Sequence, residues 1–363
     1  MKPSVAFRVD ASNDMGTGHV MRCLTLANAL REKGFHCIFI SREHHGHLMS
    51  FLREFGYPVV SLGFPDNNSQ FSPDLPYADW LGTSWIVDAA QTCQVLQQYS
   101  IEWLIIDHYA LDDRWEQVVH PYCKNILVID DLANRSHVCE LLLDQNLGRL
   151  KQDYQAFVNT DAKLLIGLRY ALIRPEFSQW RPYSLARRMD SRINKLLITM
   201  GGVDKNNFTG QVLKELSVCD HVKDLEITVI MGHHAPWLQV VQQQTSQISN
   251  SIKVLTGVTN MAELMAKTDL VIGAAGGTAW ERCTLGVPSF LLVLAENQKM
   301  GAIALHEKNA AILLESISEI PKLLISMSDI GPRNLLTLSH SAAALLDGKG
   351  VHRVIQEMAH YYG

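Results

Sequence analysis

Three short segments carry the residue types that could do chemistry. The first is Gly16-Thr17-Gly18-His19, which follows the apolar run Val5–Asp10 and opens a helical pattern. Glycines there let backbone N–H groups approach an anionic ligand, and a helix N-terminus favours negative charge. The segment is not a Walker A loop, since no Gly-Lys-Ser/Thr follows. It is not the dinucleotide fingerprint either, since Met21 stands where a third glycine is needed. His19 falls in the first helical turn, where the positive end of the dipole disfavours imidazolium. The position therefore suits a neutral imidazole able to take a proton. A histidine that merely caps the loop is the plainer alternative.

The second segment is Asp107-His108-Tyr109, at the carboxyl end of the apolar strand Trp103–Asp107. Ligands bind at that edge in open α/β sheets, so His108 or Tyr109 could face the same crevice as His19. A satisfied loop residue is the alternative. The third segment holds Gly276-Gly277-Thr278, then Glu281, then Glu296-Asn297-Gln298. A glycine pair with Thr at a helix start suits a diphosphate, which takes hydrogen bonds from amides and the hydroxyl. Glu281, one turn later, could accept both ribose hydroxyls, or simply complement the helix dipole. Gly201-Gly202 makes a second phosphate-facing turn. His44-His45-Gly46-His47 and His233-His234 lack carboxylate or Cys partners at ligand spacing, so no metal site is expected. No Gly-x-Ser-x-Gly nucleophile elbow occurs.

These segments need a scaffold, and the hydrophobic pattern supplies one. Val5–Asp10, Cys37–Ile40, Val59–Leu62, Trp103–Asp107 and Ile126–Asp130 read as strands, with a helix over His19–Gly34. Strands apolar throughout suggest a parallel sheet covered on both faces. A second α/β pattern follows. Its strands are Lys195–Met200, Leu225–Ile230, Ile252–Leu255, Asp269–Ile272 and Ser289–Leu294, and its helices include Thr209–Leu216 and Asn260–Lys267. Helices over Ser339–Leu346 and Val351–Tyr361 close the chain. Gly63–Gly82 reads as a long surface loop of a length that is often functional. Arg174–Asn194, with Pro175, Pro182 and five arginines, reads as an exposed, solvated linker.

The composition sets outer bounds. At 363 residues the chain is long enough for about two domains. With 47% hydrophobic and 19% charged residues it is neither disordered nor collagen-like. A net charge of −5 gives no global pull toward nucleic acid or anionic lipid. The seven cysteines, none spaced as CxxC, suit buried free thiols in a reducing cytoplasm. No secretory signal and no transmembrane run is expected.

Arg8-Val9-Asp10-Ala11-Ser12 followed by Gly16-Thr17-Gly18-His19 and Arg22 resembles the opening of the UDP-2,4-diacetamido-2,4,6-trideoxy-β-L-altropyranose hydrolases of pseudaminic acid biosynthesis. Asp107-His108-Tyr109, Asp130-Asp131, Tyr170–Phe177, Gly201-Gly202-Val203-Asp204 and Glu296-Asn297-Gln298 resemble that family in the same order. The glycine turn followed by Glu281 is also similar to the peptidoglycan N-acetylglucosaminyltransferase. The resemblance implies a GT-B-like fold: two Rossmann-like, doubly wound domains with an interdomain cleft. The expected division is 1–180, 181–345 and a C-terminal helix at 346–363 packing back on the first domain. It also implies metal-independent, inverting hydrolysis of the UDP-sugar, with no cofactor. His19 would be the base and Tyr109 would orient sugar or water. Gly276, Gly277 and Thr278 would hold the diphosphate beside Gly201 and Gly202, Glu281 the ribose, and Val258 with Met261 the uracil. Glu296, Asn297 and Gln298 would reach the sugar, while Arg8, Asp10, Gly16, Gly18 and Arg22 would support the loop or the sugar. Expected partners are the small-molecule UDP-sugar alone, with no nucleic acid and no membrane, in a cytoplasmic monomer. A GT-B glycosyltransferase and a non-catalytic nucleotide-sugar-binding protein are the alternatives.

Overall fold

The structure is a computed structural model and describes residues 3–65, 75–188, 192–219, 224–233, 235–248, 251–330 and 332–361. The chain forms two compact units, Met1–Leu172 with Gly350–Gly363, and Ile173–Lys349.

The first unit contains β1 (Ser4–Val9), β2 (His36–Ser41), β3 (Val59–Ser61), β4 (Ile101–Asp107), β5 (Cys123–Ile129), β6 (Leu141–Asp144) and β7 (Lys163–Ile166). Among the described residues these make one parallel sheet in the order β3-β2-β1-β4-β5-β6-β7. Alternate residues along each strand feed two separate cores. Val5, Phe7, Val9, Trp103, Ile105, Leu127 and Ile129 face one. Ala6, Leu104, Ile106, Ile126 and Val128 face the other. A sheet covered on both faces explains why its strands read as continuous apolar runs. Helix α1 (Gly18–Glu32) packs on the first core through Val20, Cys23, Leu24 and Ala27. Gly34, in the left-handed region, follows its end. Helices α2 (Met49–Glu54), α3 (Trp85–Leu96) and α4 (Asp113–Val119) complete the unit, α3 and α4 lying on the second core.

The second unit contains β8 (Lys195–Thr199), β9 (Glu226–Met231), β10 (Ile252–Thr256), β11 (Leu270–Ala274), β12 (Ser289–Leu292) and β13 (Ile312–Leu313). Its helices are α5 (Pro175–Arg187), α6 (Phe208–Ser217), α7 (Leu238–Thr245), α8 (Met261–Ala266), α9 (Thr278–Leu285), α10 (Lys299–Glu307), α11 (Ile320–Ile330) and α12 (Pro332–Leu345). Its parallel sheet runs β10-β9-β8-β11-β12-β13, the same winding as the first. Helix α13 (Gly350–Ala359) returns to the first unit, where Val354 and Met358 join the core beside α1.

The Arg174–Asn194 segment differs from its expected form. Most of it is α5, with Pro175 at the first helical position, where a missing N–H costs nothing. The anticipated boundary between 180 and 181 therefore falls inside a helix. Three of its five arginines are not solvated charge either. Arg181 donates to the carbonyls of Thr284 and Ala343, and Arg187 and Arg188 to that of Thr268. Those carbonyls lie at the ends of α9, α12 and α8, where acceptors lack intrahelical partners and the dipole favours cations. Strands β6, β7 and β13 were not legible, being short and flanked by polar turns. Part of the Gly63–Gly82 loop lies outside the described residues, as does His234.

Candidate active site

In an open parallel sheet the ligand site lies at the carboxyl edge where the strand order reverses. In the first unit that point falls between β1 and β4. The loop after β1 leads into α1 and presents His19, while β4 ends at Asp107. Ser12 shapes that loop: its hydroxyl accepts from the N–H groups of Asp14 and Met15, and its carbonyl from Gly16. Thr17 stands at the helix N-cap without a side-chain cap, so the first-turn amides remain exposed beside His19.

His19 Nδ1 lies 2.6 Å from Asp107 Oδ1. Arg22, one turn further along α1, donates to both oxygens of Asp107 at 2.6 and 2.7 Å. It also reaches Asp131, just beyond β5, at 2.8 and 3.0 Å. Tyr109 donates its hydroxyl to Asp131 at 2.6 Å and sets its ring edge-on to His19, centroids 4.6 Å apart. Burial alone would push Asp107 up, but the charges and hydrogen bonds of Arg22 and His19 hold it well below the usual carboxylate range. An ionised Asp107 accepts, so Nδ1 carries the proton and Nε2 is the basic nitrogen. Burial and the Asp131 charge push the Tyr109 phenol well above its ordinary value, which keeps it a donor.

Arg8 and Asp10 sit deeper than a ligand-contacting role requires. Both are fully buried; Arg8 pairs with Asp10 at 2.8 Å and with Asp88 at 2.7 Å. Asp88 also takes Arg42 and the Trp115 indole N–H. Asp10 accepts from the Arg42 amide and lies 3.3 Å from His108 Nε2. Their partners come from α3 and from the segments just after β2 and β4. Burial pushes the His108 imidazole down, so it is not the exposed base. Among the described residues no group of three or more His, Cys, Asp or Glu is placed to hold a metal ion.

In the second unit the reversal falls between β8 and β11. Gly201 and Gly202 follow β8, both exposed, and Ala275-Gly276-Gly277 follows β11 and opens α9 at Thr278. Gly201 is in the left-handed region (φ 89°). A Cβ on Gly232, after β9, would lie 2.1 Å from the Gly202 carbonyl oxygen, so the two loops touch backbone to backbone. Gln298 accepts from the Leu294 N–H, and its amide lies 3.4 Å from where a Gly276 Cβ would stand. Glu296 and Asn297 share that exposed turn. Val258 and Met261 lie half-buried after β10.

Glu281 Oε1 accepts from Arg174 at 2.9 and 3.0 Å, while Oε2 is buried with no hydrogen-bond partner. Burial pushes this carboxyl up despite Arg174. A buried, unused acceptor is a group waiting for a donor. Arg282 is buried beneath the glycine turn, donating to the Ala274 carbonyl and to Thr278 Oγ1. Asp131, Arg174 and Arg282 were not singled out as site residues. Asp131 carried a legible signal, its place just past a strand end, and so did Arg282, four residues after Thr278 on α9, whereas Arg174 is brought to Glu281 only by helix packing.

Two parallel-sheet, Rossmann-like units of this winding define the GT-B fold. The MurG crystal structure from Acinetobacter baumannii superposes with a TM-score of 0.70 over 99% of both chains at 13% identity. Residues 195–348 match the glycosyltransferase family 28 C-terminal domain. The UDP-2,4-diacetamido-2,4,6-trideoxy-β-L-altropyranose hydrolase of Campylobacter jejuni is 27% identical over 84% of this chain and 96% of its own. An uncharacterized protein of Methanocaldococcus jannaschii is 26% identical over 81% of this chain, which spans 56% of that relative's length. No helix among the described residues is long and apolar enough to cross a membrane.

Proposed function

We propose that the protein hydrolyses UDP-2,4-diacetamido-2,4,6-trideoxy-β-L-altrose to UDP and the free diacetamido sugar, as its Campylobacter jejuni relative is named for doing. The observation that carries the reading is the Asp107–His19 pair at 2.6 Å, braced by Arg22 at the switch point of the first sheet. An oriented imidazole with a basic Nε2 is what activation of water requires.

In this reading water attacks the anomeric carbon and its proton passes to His19 Nε2. The bond from that carbon to the diphosphate oxygen breaks, and UDP leaves with the electron pair, with inversion. Asp107 holds the ring and stabilises the imidazolium that forms. Ordinary glycosidases add an acid for a poor alkoxide leaving group, whereas a diphosphate already leaves well. What it needs is stabilisation of developing negative charge. Amides of Gly276, Gly277 and the start of α9 would supply this, with Thr278, Gly201 and Gly202 beside them. Glu281 Oε2 would accept from the ribose, Val258 and Met261 would flank the uracil, and Glu296, Asn297 and Gln298 would reach the sugar. Tyr109 would orient sugar or water. Gly16 and Gly18 would shape the His19 loop.

The glycosyltransferase reading draws on the family 28 match and the MurG-like fold. One experiment separates the two. Purified protein is mixed with the UDP-linked diacetamido sugar and no acceptor, in ¹⁸O-labelled water, and UDP and reducing sugar are measured. Release of both, with the label in the sugar, is expected. Absence of release without an acceptor would sink the hydrolase and leave the transferase.

A further inference from the structure

Beside the His19 pair two aromatic rings that the proposed mechanism does not use, those of Tyr77 and Trp80, cluster on Tyr109. Trp80 stacks on Tyr109 with centroids 5.7 Å apart and planes inclined by 21°. Tyr77 lies 4.6 Å from Trp80 and 5.5 Å from Tyr109. Tyr109 in turn meets His19 at 4.6 Å. Tyr109 is buried, but Tyr77 and Trp80 are half-buried, so their rings are not simply core filling.

The backbone holds these rings in a costly arrangement. Tyr77 precedes a single 3-10 turn, Ala78–Leu81, which contains Trp80 and whose last residue is buried in the core. Both ends of the turn are left-handed, Tyr77 at φ 66° and Gly82 at φ 68°. A Cβ on Gly82 would lie 2.8 Å from the His44 ring, so that end is pressed against the loop after β2. A bulky residue at positive φ is an outlier, and it persists where the surroundings over-determine it.

We propose that Tyr77 and Trp80, backed by Tyr109, form an apolar wall that takes the methyl-bearing face of the sugar and so selects 6-deoxy, N-acetylated sugars. This deepens the hydrolase reading and rests on it. A 2,4-diacetamido-2,4,6-trideoxy sugar carries a methyl at C6 and one on each acetamide. Those C–H groups suit the electron-rich faces of aromatic rings. A hydroxymethyl in the same place would lose water hydrogen bonds that a ring face does not replace.

The test uses the full chain as wild type, Trp80→Ala, Trp80→Phe and Tyr77→Gly; glycine keeps the left-handed backbone while removing the ring. UDP release from the diacetamido substrate gives kcat and KM, and inhibition by UDP and by UDP-glucose, which has neither acetamide nor C6 methyl, gives two controls. Trp80→Ala and Tyr77→Gly should each raise KM about tenfold, within the range for a methyl group in an apolar pocket. Inhibition by UDP and UDP-glucose should shift less than about twofold, and Trp80→Phe should recover most of the loss. An unchanged KM, or an equal weakening of UDP, would overturn the wall. Should the wild type release no UDP, the hydrolase reading fails, and tryptophan fluorescence with the free diacetamido sugar decides the wall. Quenching in wild type but not in Trp80→Phe supports it; equal quenching, or none, refutes it.

Discussion

At the carboxyl edge of the first sheet, β1, β4, β5 and β6 all run into aspartates: Asp10, Asp107, Asp130 with Asp131, and Asp144. At the same edge of the second sheet, the loops after β8, β9, β10 and β11 hold glycines: Gly201 with Gly202, Gly232, Gly257, and Gly276 with Gly277. The winding is the same in both units, yet the edges offer opposite chemistry. The first is carboxylate-rich, with Arg8, Arg22 and Arg135 pairing those acids. Such an edge orients a base and is a poor seat for a polyanion. The second offers backbone amides and little side-chain charge, which suits a diphosphate. The fold supplies two equivalent positions, and in the proposed reading side-chain type divides the labour between them.

That division breaks most visibly at His19. His19→Asn should lower kcat about 100-fold or more while leaving inhibition by UDP within about twofold. A matching loss of UDP affinity would mean the two edges do not separate base from nucleotide. Gly232→Ala acts on the other edge. The new Cβ would meet the Gly202 backbone, so the loops must part, at about 1–3 kcal/mol of stability. Urea unfolding should register that loss, together with a higher KM and an unchanged pH profile of kcat. A smaller effect is expected of Glu281→Gln, which removes a buried carboxylate whose Oε2 lacks a partner. KM for the UDP-sugar should rise about tenfold, the scale of one charged hydrogen bond, with little change in kcat. A fall in kcat with KM unchanged would move Glu281 from ribose binding to the reaction itself.

The two edges were also unequally legible. The glycine turn, Thr278 and Glu281 are contiguous in the chain, so local spacing alone suggested a phosphate and a ribose contact. His19 was visible in the first turn after a glycine loop and Tyr109 just past a strand end, but Asp131, which accepts from Tyr109 and Arg22, lies 109 residues from Arg22, and only the β1-β4-β5 order brings them together. The buried fate of Arg8 and Asp10 was not visible, because Asp88 and Arg42 arrive from separate elements. The five arginines of Arg174–Asn194 looked like solvated charge for the same reason. Arg181, Arg187 and Arg188 donate to carbonyls at helix ends, which sequence does not display as acceptors, and Arg174 pairs with the distant Glu281. The overall winding, in contrast, was written in the apolar strands and the helices between them.

The smallest effect concerns Asp144, where the two edges differ in how they respond to pH. Asp144 is buried at the end of β6, accepting from Asn146 through Oδ1 and from the Tyr154 hydroxyl through Oδ2. Burial and the neighbouring Asp131 charge push its carboxyl well above the ordinary aspartate range. The folded protein therefore keeps a proton that the unfolded chain releases near pH 4, so stability falls as pH rises from about 4 toward the raised value. Asp144→Asn removes that titration. At pH 5 wild-type Asp144 is a neutral acid, which the neutral amide mimics, so the variant should be close to wild type in stability. By pH 8 the variant should be the more stable, since wild-type Asp144 is then charged beside Asp131. Urea midpoints of both proteins across pH 5–8 measure this, and parallel profiles would show that Asp144 does not titrate with folding. Because Asn146 also donates to Asp131, a shift in the wild-type kcat profile over the same range, absent in Asp144→Asn, would tie this proton to the Tyr109 end of the site.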